Sequence, residues 1–266
     1  MQIEDMLRLE PHGADVFVGR GPRYPWGGLY GGQIVAQALR AAASTVDDAF
    51  HPHSLRAYFI RSGDHSEPVR YEVDRIRNGR SFCTRRVVAS QGTGAILNLE
   101  ASFQVEEDSP SIQTVVADLD LPSPEDLAED SWTPMFARRF VPAEPDNPQG
   151  RVRCWFRVSE PMGDDPLVHA CALAYLSDDL PTDSVVRAHP LGGKPWDEIG
   201  HQVFTASLDH TIWFHRPLRA DTWHVQDFSC HGFTGGRGLA IGHIFTGEGD
   251  HVATVAQEVL LRDVRQ

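Results

Sequence analysis

The chain has 266 residues, of which 41% are hydrophobic and 23% are charged, so it is long enough for one large domain or two small ones with a sizeable core. Its formal net charge of −13 argues against a general affinity for nucleic acid or for anionic membrane surfaces. Four scattered cysteines, a mixed acidic N-terminus and the lack of any apolar run near the ~20 residues of a membrane span lead us to expect a reduced, cytoplasmic protein.

The first half predicts one apolar helix followed by four strands. The helix is GGLYGGQIVAQALRAAA (27–43), which has almost no polar face. Strand patterns follow over 53–61, over 71–91 on both sides of an Asn-Gly turn, and over 95–104, where apolar and polar residues alternate. A further strand over 14–20 could precede the helix.

The middle of the chain, residues 106–150, is rich in Pro, Asp and Glu and has little periodicity, which is typical of a linker. The second half then repeats the order of the first. A helix over 165–179 is preceded by a possible strand over 155–158 and followed by strand patterns over 204–217, 223–230, 239–247 and 251–262. We therefore predict an N-terminal unit (1–108), a linker (109–149) and a C-terminal unit (150–266).

A helix without a polar face must be enclosed on most of its sides. An antiparallel sheet that curls around each helix would do this, and two such units could share one long sheet. The motifs GxSxG, GxGxxG and HExxH and a P-loop are absent, which disfavours a standard α/β-hydrolase, a nucleotide-binding protein and a zinc protease. We expect no cofactor and no metal.

The blocks GGLYGGQIVAQAL, HSLRAYFIRSG, HACALAYLSDD, ASLDHTIWFHRP and VAQEVLLR, in this order, resemble the thioesterase II-type acyl-CoA thioesterases. The resemblance implies an α+β double hotdog fold, with two tandem units that each wrap an antiparallel sheet around a long central helix. It also implies hydrolysis of acyl-CoA to a free acid and CoA. Three residues of the second unit match the family's catalytic set: Asp178 after Ser177, Ser207 in ASLDH, and Gln257 in VAQEV.

Thioester hydrolysis explains these residue types. Asp178 at the end of an apolar helix would act as general base, because partial burial and the negative end of the helix dipole both raise a carboxyl pKa. Ser207 and Gln257 would hold the attacking water. Backbone N–H groups at the start of the first helix, at Gly31 and Gly32, are candidate donors to the oxyanion.

Other candidates are weaker. Arg80, Arg85 and Arg237 could contact the CoA phosphates, since arginine binds phosphate through two parallel hydrogen bonds, although exposed strands show the same alternation. Cys171 could be a nucleophile, but no histidine is clearly available to activate it, so we favour a core role.

The first half has no acid at the end of its helix, and we expect it to be a catalytically silent copy, with Ser54 and Gln104 at the matching positions. Two other functions stay open, a non-catalytic acyl-CoA binder and a hotdog enoyl-CoA hydratase, although His169 lies far from Asp178 for the latter. We also expect homo-oligomers.

Overall fold

The computed structural model describes residues 1–118, 120–144, 146–192 and 196–264. Strands outnumber helices in these ranges, and in chain order the elements are α1 (Ile3–Leu7), β1 (Glu10–Pro11), β2 (Val16–Gly19), α2 (Gly31–Ala43), β3 (Phe50–Phe59), β4 (Val69–Asn78), β5 (Phe82–Gln91), β6 (Gly94–Val105), β7 (Phe136–Phe140), β8 (Val152–Val158), α3 (Pro166–Leu176), α4 (Leu180–Ala188), α5 (Trp196–Ile199), β9 (Val203–Ser207), β10 (Asp209–Phe214), β11 (His224–Thr234), β12 (Arg237–Thr246) and β13 (His251–Asp263). A 3₁₀ turn lies at Pro124–Asp126.

Over the described ranges, the strands form one antiparallel sheet of thirteen strands. The first half contributes the order β2-β4-β5-β6-β3, and the second half continues with β10-β13-β12-β11-β8. The halves join where β3 pairs with β10, from Tyr58 opposite Asp209 to Ser54 opposite Trp213. The second order is the first one read from the opposite edge, so the repeat predicted from the sequence is present in the topology.

Helices α2 and α3 pack against each other, and their side chains join those of the sheet in one continuous core. α3 is apolar except for His169, and seven of its eleven residues are buried. α2 also buries two amides, Gln33 and Gln37, which are hydrogen-bonded to the hydroxyls of Tyr24 and Tyr71. The two helices have 13 and 11 residues, so neither is the long central helix that the resemblance implies.

Three boundaries differ from the predictions. The helix predicted over 165–179 ends at Leu176, because the chain turns at 177–179 before Pro181 occupies the first turn of α4. The strand predicted over 204–217 is divided at Leu208 into β9 and β10. The predicted linker contains β7, which pairs with β8 at the edge of the sheet.

The turn between β11 and β12 is tight, and Gly235 and Gly236 adopt positive φ there. The strands considered possible before each helix are present as β2 and β8. Within the described ranges, no helix combines the length and the apolar character of a transmembrane segment.

Candidate active site

Asp178 lies in the turn after α3, with 6% of its surface exposed. Its carboxylate faces the N-terminus of α2, where the backbone N–H of Gly32 donates to it. A β-carbon built on Gly31 would lie 2.6 Å from Asp178 Oδ2, and one built on Gly32 would lie 2.3 Å from the carbonyl oxygen of Tyr175. Both positions therefore require glycine, because any side chain would separate the two helices or displace the carboxylate.

Burial raises the pKa of Asp178 from its ordinary value to about 7. The side chains of Gln257 and Ser207 and the N–H of Gly32 oppose this shift by hydrogen bonding, while the negative charge of Asp179 adds to it. An aspartate that would normally be a weak base is thus tuned to a pKa close to neutral pH, where a general base works best.

Ser207 and Gln257 meet Asp178 in a short hydrogen-bonded series. Gln257 Nε2 donates to Ser207 Oγ at 2.8 Å, and Ser207 Oγ donates to Asp178 Oδ1 at 3.2 Å. Gln257 is fully buried on β13, and Ser207 is the last residue of β9, where it pairs with Val259 of β13. Side chains that are distant in the sequence are thereby brought to one carboxylate.

A β-bulge between β9 and β10 makes this arrangement possible. Ser207 pairs with Val259 and Thr211 pairs with Ala256, so four steps along one strand (211 − 207) face three along β13 (259 − 256). The extra residue is held by the Asp209 carboxylate, which accepts from the backbone N–H of Glu258 at 2.7 Å. In a regular strand, residues 207 and 210 would point to opposite faces; the bulge resets the alternation, and both side chains contact Gln257.

Asp179 is held by the linker. Trp132 Nε1 donates to its Oδ1 at 2.7 Å and Arg138 Nη1 to its Oδ2 at 2.6 Å. Trp132 also belongs to a group of aromatic rings that pack against one another beside the site: Tyr24, Trp26, Tyr30, Trp132, Phe136 and Tyr175. Apolar residues such as Trp132 and Phe136 in this Pro- and Asp-rich segment indicate that it packs against the rest of the protein, but not which helix end it covers.

The arginines predicted to bind CoA phosphates lie in different settings. Arg80 is exposed in the turn between β4 and β5, and Arg237 is exposed at the start of β12, where its Nε donates to Glu258 at 2.9 Å. Arg85 is 1% exposed, and its guanidinium N–H groups donate to Thr45, Arg77, Thr84 and Asn78. The prediction for Arg85 was wrong. A strand in which polar and apolar residues alternate can still turn one arginine toward the core when all five N–H donors of its guanidinium are hydrogen-bonded.

Cys171 is fully buried on α3, and burial raises the pKa of its thiol to about 12. It therefore remains a neutral thiol at physiological pH and packs as a core residue. In the first half, Ser54 lines a groove on the outer surface of the sheet beside Ser102 and Thr211. Ser54 thus faces away from the core, whereas Ser207 points to the carboxylate.

Sequence reasoning missed His210. This residue is fully buried, and its Nδ1 lies 2.5 Å from Gln257 Oε1 while its Nε2 lies 2.9 Å from Ser177 Oγ. Its only signal was a histidine within an apolar strand, next to Asp209 in the block ASLDH. The bulge that turns it toward Gln257 cannot be read from residue alternation.

Comparison with known proteins gives matches over nearly all of the chain. The family model of the acyl-CoA thioesterase N-terminal domain matches residues 21–104, and that of the acyl-CoA thioesterase C-terminal domain matches residues 113–261. Acyl-coenzyme A thioesterase 8 of Homo sapiens is 35% identical over 98% of this chain and 88% of its own length. Acyl-CoA thioesterase 2 of Haemophilus influenzae is 32% identical over 97% of this chain and 96% of its own.

Solved structures agree with these relatives. The crystal structure of an acyl-CoA thioesterase II from Mycobacterium marinum superposes with a TM-score of 0.85 at 37% identity, covering 98% of both chains. A hotdog-fold protein from Alicyclobacillus acidocaldarius superposes with a TM-score of 0.81 at 21% identity, covering 98% of this chain and 97% of its own. The sheet and its enclosed helices are therefore a hotdog fold.

Proposed function

The chain belongs to the acyl-CoA thioesterase family and is an acyl-CoA thioester hydrolase, and from this premise we propose that Asp178 is its general base, with Ser207 and Gln257 as the residues that orient the attacking water. The observation that carries the proposal is the buried carboxylate with a pKa of about 7 that accepts a hydrogen bond from Ser207, which in turn accepts from Gln257. Neither partner contributes a charge that would stabilise the carboxylate and weaken it as a base.

In the proposed reaction, the Asp178 carboxylate takes a proton from a water while the water oxygen attacks the thioester carbonyl carbon. The tetrahedral intermediate collapses with cleavage of the C–S bond, which yields the free acid and the CoA thiolate. Protonated Asp178 then returns its proton to the thiolate, which is the stronger base because ordinary thiols have a pKa near ~8.5. The carboxylate is thus regenerated without a further acid.

The N-terminus of α2 would have two roles in this reaction. The N–H of Gly32 holds the Asp178 carboxylate, and we propose that the thioester oxygen also binds near Gly31 and Gly32, where the partial positive charge of the helix end would stabilise an oxyanion. Contacts of Arg80 and Arg237 with the CoA phosphates are part of the same proposal and are supported by their exposure.

We further propose that the hotdog fold is a double hotdog with an N-terminal unit of residues 1–108, a linker of 109–149 and a catalytic C-terminal unit of 150–266. The mirrored strand order of the two halves supports this division, as do separate family models for residues 21–104 and 113–261. A cytoplasmic location and a homo-oligomer stay predictions from the sequence.

Release of free CoA thiol from straight-chain acyl-CoAs of increasing length tests the proposal. Asp178→Asn should lower kcat at least ~100-fold, because an amide cannot accept the proton of water. The matched control is Asp48→Asn, which makes the same exchange at an exposed position and should keep full activity. Near-normal CoA release by Asp178→Asn would refute the assignment of the base.

The same assay separates the rival functions. Saturable acyl-CoA binding without thiol release would indicate a non-catalytic binder. Hydration of crotonyl-CoA with the thioester left intact would indicate an enoyl-CoA hydratase.

A further inference from the structure

The amide of Gln257 is fixed at both of its ends. Its Nε2 donates to Ser207 Oγ at 2.8 Å, and its Oε1 accepts from His210 Nδ1 at 2.5 Å. The other ring nitrogen of His210, Nε2, lies 2.9 Å from the hydroxyl of Ser177. The hydrogen-bonded series thus runs from Ser177 through His210, Gln257 and Ser207 to Asp178, and it begins and ends on adjacent residues of the chain.

The orientation of this amide decides what Ser207 can do. When Nε2 of Gln257 points to Ser207, the serine oxygen accepts and the serine hydrogen is directed to Asp178. If the amide were reversed, its oxygen would compete for the same serine hydrogen. The carboxylate would then lose a donor, and Ser207 would lose its fixed rotamer. An amide has nearly the same shape in both orientations, so the hydrogen-bonding groups at its two ends choose between them: Asp178 and Ser207 at one end, and His210 at the other.

His210 contacts the oxygen end of this amide, and the tautomer of His210 depends on whether Ser177 donates to its Nε2 or accepts from it. Burial lowers the pKa of His210 to about 4, so near neutral pH its ring is uncharged and carries one N–H. When Ser177 donates to Nε2, the hydrogen of the ring must be on Nδ1, which then donates to Gln257. The other acceptor within reach of the Ser177 hydroxyl is the carbonyl oxygen of Ala174, at the longer distance of 3.2 Å.

We propose that His210 and Ser177 are positioning residues, and that Ser177 holds His210 as the Nδ1–H tautomer so that Gln257 presents its amide nitrogen to Ser207. Neither touches the reacting atoms; both act through Gln257. The inference rests on the proposed function, in which Ser207 and Gln257 orient the water. It explains why a neutral histidine is buried between a helix end and a strand, and why the base is preceded by a serine.

The test compares three replacements of buried histidine. His210→Leu removes the donor to Gln257, and we expect kcat to fall roughly 30-fold while KM changes less than about 2-fold, since substrate contacts are not altered. His210→Asn, whose amide can supply a donor near the position of Nδ1, should recover activity to within about 5-fold of the wild type. His224→Leu is the control, because His224 is also fully buried with a pKa lowered to about 4 but belongs to β11, and it should keep normal kcat.

A second comparison shows whether the effect passes through Gln257. In a Gln257→Ala background, His210→Leu should cause almost no additional loss, because residues that act as one unit are not additive. An additive loss, a normal kcat for His210→Leu, or an equal loss for His224→Leu would overturn the inference. An inactive Asp178→Asn alongside a fully active His210→Leu would reject the inference and leave the proposed function intact.

A measurement on the folded wild type covers the case in which His210→Leu does not fold. Nitrogen NMR of protein labelled at histidine distinguishes the two neutral tautomers, and the signals of His210 are assigned by their loss in His210→Asn. We expect a protonated Nδ1 in the wild type and a mixture of tautomers in Ser177→Ala. A protonated Nε2 in the wild type would refute the inference whatever the kinetics.

Discussion

Helices α2 and α3 both end at a serine C-cap, but the residue that follows the cap differs in chemistry. α2 ends at the C-cap Ser44, which is followed by buried Thr45; α3 ends at the C-cap Ser177, which is followed by buried Asp178. The hydroxyl of Thr45 donates to the carbonyl oxygen of Ala42 and accepts from Arg85, so its hydrogen-bonding groups are engaged within the first half. The same position after the C-cap therefore holds a neutral threonine with its hydrogen bonds satisfied in one half, and an aspartate whose pKa is raised by burial in the other.

The two helices also differ in what caps their N-termini. α3 begins after Asp165, whose side chain accepts from the N–H of Leu167 at 2.9 Å and caps the helix. α2 begins after Tyr30, which makes no side-chain cap, and its N–H at Gly32 goes to Asp178 of the other half. The carboxylate of the second unit thus occupies the position of a cap for the first. The first half therefore contacts the proposed base directly.

The largest difference between the halves should appear at the two glutamines. Gln257→Ala removes the group that orients Ser207, and we expect kcat to fall at least about 30-fold. Gln104→Ala makes the same change at the position in the first half that we matched to it, and it should leave kcat within about 2-fold of the wild type. Thiol release under saturating acyl-CoA measures both. Equal losses would show that the first half is not silent.

A somewhat smaller effect is expected where the first half meets the carboxylate. A β-carbon at Gly31 would lie 2.6 Å from Asp178 Oδ2, so Gly31→Ala must push the carboxylate out of line, and we expect kcat to fall about 10-fold. Gly232→Ala is the control, since a β-carbon there would have no neighbour within 4 Å. Unchanged kcat in Gly31→Ala would mean that the two helix ends are not as closely coupled as their contact indicates.

Much of this contrast was predictable from the sequence, since the repeated order of helix and strands and the segment SDD at the end of only one helix can be read directly. The meeting of Asp178, Ser207 and Gln257 came from resemblance, because spacing cannot predict which distant strands approach a helix end. Neither approach predicted the contact of His210 with Gln257 or the contact of Trp132 with Asp179. The first depends on a bulge that reverses alternation, and the second depends on the path of a segment without periodicity.

The smallest predicted effect concerns Asp179, the acid beside the proposed base. Asp178 must be ionised to accept a proton, so kcat/KM for acyl-CoA should rise with pH through about 7 and level off above it. The negative charge of Asp179 raises the pKa of Asp178, so Asp179→Asn should move this rise to lower pH. Arg138, which donates to Asp179 in the wild type, would also lose its neutralising partner, and its positive charge shifts the pKa in the same direction. We expect the plateau activity to fall less than about 3-fold, because Asp179 does not touch the proposed water site.

A rise in kcat/KM that moved to higher pH would show that the linker contacts with Trp132 and Arg138, rather than the charge of Asp179, control the pKa of Asp178. No comparable shift is available to the first half, where the residue after the C-cap is a threonine that does not titrate.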